Sequence, residues 1–133
     1  MGPLIVVDDE SLVTDFLTFL LEREGYAVHA VSNGREAPDV VDRVRPALVI
    51  TDLMMPVMSG LELAQTLRER DEFRHLPIIL CSAVPEPVTQ RERPLFAAIL
   101  RKPYAPARLV GLLAQHAGHC NDAADANGPS SGE

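Results

Sequence analysis

Three acids crowd the end of an aliphatic run where the chain reads LIVVDDE, Leu4 to Glu10. Such crowding costs free energy, because each charge disfavours ionisation of its neighbours. Another acid, Asp52, follows the run ALVIT at 47–51. The hydroxyl of Ser82 follows IILC at 78–81, and the ammonium of Lys102 follows AAIL and Arg101. Lys102 is the only lysine, the other eleven basic residues being arginines. A hard divalent cation would relieve the repulsion among Asp8, Asp9 and Asp52, and oxygen donors are what Mg²⁺ prefers. The residue types therefore suit cation binding beside a point positive charge.

Such chemistry requires elements that bring four distant strand ends together. Short aliphatic runs occur at Leu4–Val7, Ala27–Val31, Ala47–Thr51, Ile78–Cys81 and Ala98–Leu100. Helical spacing fills the intervals. Leu12, Phe16 and Leu20, with Val13, Leu17 and Leu21, form rows four residues apart, and Gly25 supplies a stop. Val40, Val41 and Val44 predict a second helix with Asn33 as its cap, and Leu63, Ala64 and Leu67 a third opening after Ser59–Gly60. Leu109, Leu112 and Leu113 mark the last. Near-continuous apolar strands separated by helices predict an α/β fold: a doubly wound, five-stranded parallel sheet with helices on both faces. Sites in such sheets form beyond the carboxyl ends of the strands, where all the singled-out residues fall.

Two segments depart from the alternation. Ala83 to Pro94, AVPEPVTQRERP, should hold the fourth helix, but Pro85, Pro87 and Pro94 restrict it. A short or irregular helix starting near Pro87 and ending before Pro94 is expected. Residues 119–133, polar and containing Gly and Ser, read as a flexible tail or linker stub after a domain over 1–118.

Composition narrows the function. A chain of 133 residues with 47% hydrophobic content suits one globular domain. The net charge of −7 argues against direct nucleic-acid binding. No apolar run has the length of a membrane span, and no signal peptide is evident, so a cytoplasmic protein without a membrane partner is expected. Two cysteines, Cys81 and Cys120, make no disulfide framework. Walker and dinucleotide-binding loops are absent from the sequence.

Four motifs taken together carry a resemblance. VVDDE, ITDLMMPVMSG, LCSA and RKPY resemble, in order and spacing over about residues 3 to 117, the signatures of the response-regulator receiver domain. The resemblance implies the strand order 2-1-3-4-5 and a Mg²⁺ site made by Asp8, Asp9, Asp52 and the backbone carbonyl of Met54. It also implies that Asp52 takes a phosphoryl group from a histidine kinase phosphohistidine, or from a phosphotransfer protein, with Lys102 and Ser82 assisting. The protein would then be a phosphoacceptor signalling domain in a two-component phosphorelay, catalysing only its own phosphorylation and dephosphorylation. Phosphorylation would switch partner binding, with a homodimer through the face of the fourth helix, fifth strand and fifth helix as one option. The resemblance further implies a cis Lys102–Pro103 bond. The chain departs from the family at Ile99, where receivers commonly carry an aromatic residue, and in the fourth-helix region. The altered fourth-helix region leaves open a receiver-like interaction module with little or no phosphoryl turnover.

Plainer readings exist for single residues. An Asp after a strand commonly forms a turn, and Ser82 or Lys102 alone would be a solvated side chain. His116, His119 and Cys120 offer zinc-type ligands without a fourth partner, so a helix end is the better reading. Met54, Met55 and Met58 read as loop and core packing rather than a soft-metal site.

Overall fold

The computed structural model describes residues 2–117. The expected tail at 119–133, with His119 and Cys120, lies outside them. Strands β1 (Leu4–Val7), β2 (Val28–Val31), β3 (Leu48–Asp52), β4 (Ile78–Ser82) and β5 (Ala98–Arg101) form one parallel sheet, ordered β2-β1-β3-β4-β5. Helices α1 (Ser11–Arg23), α2 (Ala37–Val44), α3 (Gly60–Arg68) and α4 (Pro106–His116) cover it. The order reverses between β1 and β3, which pair in parallel with Val7 opposite Thr51. Such a switch point opens a crevice at the carboxyl edge.

Alternation along each strand divides the core in two. Leu4 and Val6 of β1, with Leu48, Ile50, Ile79 and Leu100, pack with Leu17 and Leu21 of α1 and Leu109 and Leu113 of α4. Ile5 and Val7, with Val49, Ile78 and Leu80, pack with Val41 of α2 and Leu63 and Leu67 of α3. All four β1 residues are buried, because both faces of the central strand are covered. Full burial of each large aliphatic side chain contributes about 1.5–3 kcal/mol, so the central strands hold the carboxyl edge firmly.

Local signals set most boundaries. Gly25 takes φ 97 after α1, in the left-handed region that favours glycine. Ser59 and Glu62 form a reciprocal capping box at the start of α3. Asn33, expected to cap α2, instead accepts from the Glu36 amide at 2.9 Å and caps the turn leading into the helix. Among the described residues no helix is long and apolar enough to cross a membrane.

The fourth helix, expected to be short or irregular, is irregular and forms no α-helix. Between β4 and β5 the regular helical structure is a single 3₁₀ turn, Arg93–Leu95, which contains Pro94 rather than ending before it. Thr89 and Glu92 cap each other reciprocally, amide to side chain at 2.9 and 3.2 Å, as if opening a helix. The Arg93 amide then bonds the Thr89 carbonyl at 2.9 Å, but Pro94 has no N–H to continue the ladder. One turn forms and stops.

Candidate functional site

The parallel register carries the distant residues to one edge. The Asp8 amide bonds the Val31 carbonyl at 3.1 Å, continuing β1 past its last ladder pair. Asp52 stands opposite Cys81 in the β3–β4 ladder, and Ser82 opposite Arg101 in β4–β5. The Lys102 amide bonds the Ser82 carbonyl at 2.8 Å. The Lys102–Pro103 peptide is cis, as the resemblance implies.

The charged groups meet there. Lys102 Nζ donates to Asp52 Oδ1 at 2.9 Å and lies 3.8 Å from Asp8 Oδ2. One carboxylate oxygen from each of Asp8, Asp9 and Asp52 lies within 4.8 Å of the others. Asp8 is the buried member and Asp9 the exposed one. Asp8 Oδ1 accepts the Glu10 amide at 2.9 Å, which locks the side chain in place. Burial pushes the Asp8 carboxyl above its ordinary range; Asp52 and Asp9 add to that, while the Glu10 amide and Lys102 oppose it. Burial pulls the Lys102 ammonium down, but the hydrogen bond to Asp52 and the charges of Asp52 and Asp8 outweigh it, so its pKa is raised.

The donor set fits a hard cation. All the side-chain ligands are carboxylate oxygens, and the Asp8 carboxyl is strained electrostatically by its two acidic neighbours. Lys102 contacts two of the three acids, Asp52 and Asp8. An oxygen-preferring cation would add the positive charge that relieves repulsion among these acids.

Ser82 and Met54 are placed at the same edge, less directly. Ser82 is buried, and its Oγ accepts the Val84 amide at 3.1 Å. Its described hydrogen bond thus steadies the segment after β4 and does not reach Asp52. Met54 is exposed in the loop after β3. Tyr104 packs against the α1 and α4 core, in the same cluster as the Cys81 thiol. Burial pushes that thiol up to about 12, so Cys81 is an inert core thiol.

Two features of the loop after Asp52 escape the reading of the sequence. A Cβ at Gly60 would lie 2.3 Å from the Asp52 carbonyl oxygen, so only glycine lets α3 start this close to β3. The Gly60 amide bonds the Leu53 carbonyl at 2.9 Å, holding that approach. Val57 has φ 73, and the Met58 amide bonds the Pro56 carbonyl at 2.8 Å across it, a γ-turn. A β-branched residue in the left-handed region costs of order 1–3 kcal/mol, the kind of strain that collects at functional loops. The SG dipeptide signals the helix start, but neither local motif reveals contact with Asp52.

Comparison with known proteins gives one consistent answer. The model of the response regulator receiver domain matches residues 4–114. An uncharacterized 14.6 kDa protein of Leptolyngbya boryana is 35% identical over 115 residues, 85% of this chain and 88% of that one. The chain spans 44% of the length of curated transcriptional regulatory relatives from Staphylococcus aureus. Chemotaxis protein CheY4 of Vibrio cholerae matches with a TM-score of 0.80 at 27% identity, over 87% of this chain and 98% of that one. Response regulator TrrA of Thermotoga maritima, solved in complex with Mg²⁺–BeF, matches at 0.79 and 29% identity, over 86% and 98%.

Proposed function

The chain belongs to the response regulator receiver domain family, and from that premise we propose that Asp52 accepts a phosphoryl group from a phosphohistidine. The donor would be a sensor histidine kinase or a phosphotransfer protein. An Asp52 oxygen attacks phosphorus, the N–P bond breaks with its electrons passing to the imidazole, and an acyl phosphate forms. The single observation that carries this reading is the 2.9 Å contact between Lys102 Nζ and Asp52 Oδ1 within a cluster of three acids. Lys102 neutralises charge on the transferring group and pairs with the phosphoryl oxygens once Asp52 is esterified. Asp8, Asp9, Asp52 and the Met54 carbonyl would hold Mg²⁺, which supplies Lewis-acid neutralisation of phosphoryl oxygens when bound.

Ser82 would donate its hydroxyl proton to a phosphoryl oxygen, drawing the segment after β4 toward the site. The Ser82–Val84 hydrogen bond supports this coupling, because any shift of Ser82 Oγ moves the Val84 amide. The face built from residues 83–97, β5 and α4 would then change its binding of partners, a second copy included. A receiver-like module without turnover is favoured by one observation, the missing α-helix between β4 and β5. Exposure to acetyl phosphate, with and without Mg²⁺, separates the two. Mg²⁺-dependent mass gain supports the phosphoacceptor, and none with Mg²⁺ present supports the binding module.

A further inference from the structure

A cleft of about 310 Å³ opens at the opposite end of the sheet from Asp52, where the chain enters β4 and β5. Arg68, Arg74, His75 and His116 line it, and among the described residues no carboxylate does. That is a marked local reversal in a chain of net charge −7. Arg68, at the end of α3, is partly buried and donates to the carbonyls of Phe73 at 2.7 Å and Leu95 at 2.6 Å. It forms no ion pair among the described residues, and burial alone pushes its guanidinium pKa down. Arginine removed from water is ordinarily paired with an anion, because carbonyl dipoles do not cancel its charge. Five N–H donors are available to a guanidinium, and two contacts leave others to spare. Arg74 is held by Asp71 at 2.5 Å, but both side chains are mostly exposed, and such pairs exchange at little cost. Phe96 and Pro94 give the cleft apolar walls.

We propose that this cleft binds a phosphate-type oxyanion, free or as the ester of a small molecule. Arg68 and Arg74 supply charged donors suited to a planar or tetrahedral oxyanion, and His75 and His116 supply ring N–H donors. The site lies apart from the phosphoacceptor edge, and its occupancy does not depend on Asp52. The proposal goes beyond the phosphoacceptor reading and stands or falls separately from it.

The test uses the full chain carrying Asp52→Asn, with side-chain resonances of Arg68, His75 and His116 followed as inorganic phosphate is added. Chloride at matched ionic strength is the control. Saturable shifts at these residues, absent with chloride, are expected. The double variant Arg74→Gln/His116→Gln should weaken binding about tenfold or more, the usual cost of losing charged hydrogen bonds. Its melting temperature should stay near that of the parent, since neither side chain is buried in the core. A nucleoside monophosphate binding more tightly than inorganic phosphate, with the bare nucleoside silent, identifies an ester; equal affinity identifies free phosphate. Shifts that never saturate, that chloride reproduces, or that survive in the folded double variant would overturn the proposal.

Discussion

Lys102 at the end of β5 and Asp52 at the end of β3 are hydrogen-bonded at 2.9 Å, although β4 lies between their strands. The lysine side chain reaches across the carboxyl edge of β4, whose last residue, Ser82, is buried. Asp52 and Lys102 thus meet across β4, and Asp8 and Asp9 join them from the end of β1.

Asp52→Asn should abolish labelling by acetyl phosphate, because the amide is no nucleophile toward phosphorus. Intact-mass measurement checks this. Undiminished mass gain in the variant would move the phosphoacceptor elsewhere.

Mg²⁺ should bind at micromolar to millimolar affinity, since few protein ligands meet a cation that retains several waters. Asp9→Ala removes one carboxylate and should weaken binding further, without unfolding the protein, as Asp9 is exposed. Calorimetric titration of both proteins is the measurement; equal affinities would contradict the ligand set.

Asp8 predicts a particular dependence of stability on pH. Its folded pKa is raised by burial and by Asp52 and Asp9. Its contribution to stability is therefore fully present below the ordinary value of 3.8 and is lost as pH rises through the folded value. At neutral pH in the absence of Mg²⁺, Asp8→Asn should raise the melting temperature by a few degrees, keeping the acceptor for the Glu10 amide while removing repelled charge. The advantage should vanish toward acid pH. A variant that melts lower than the parent at neutral pH would show that the Lys102 attraction dominates instead.

Gly60→Ala should destabilise the fold by about 1–3 kcal/mol, the usual cost of overpacking. The new Cβ meets the Asp52 carbonyl at 2.3 Å, and that atom is backbone, so α3 or β3 must shift. Denaturant unfolding measures the loss, and slower phosphorylation of the folded fraction would report displacement of Asp52. Gly111, with nothing within 4 Å of its Cβ position, provides the control substitution.

Beryllofluoride, as a phosphate mimic, should shift amide resonances over 82–89 far more than at Ile99. Ile99 has no ring to reorient and few rotamers, whereas Ser82 is tied directly to the Val84 amide at 3.1 Å. Ser82→Ala should lose most of that response while still accepting phosphate on Asp52. Equal or larger shifts around Ile99 that persist in Ser82→Ala would show a different route for the signal.

The aliphatic runs and helical spacings by themselves determined the strand and helix order, because burial on two faces leaves a periodicity that does not depend on distant residues. The acids, hydroxyl and lysine were equally visible, since polar residues just past a buried strand have few other reasons to cluster. What the sequence could not determine was set by contacts between segments far apart in the chain. Pro94 was legible as an obstacle, yet only the hydrogen bonds from Thr89 show that one turn starts and fails there. Gly60 read as a helix start, and its real constraint, the Asp52 carbonyl, appears only when α3 is laid against β3. Nothing in the sequence sets Arg68 apart from the other arginines. Tertiary structure turned it into a partly buried cation with no carboxylate partner among the described residues, because the carbonyls that hold it come from Phe73 and, much later in the chain, Leu95.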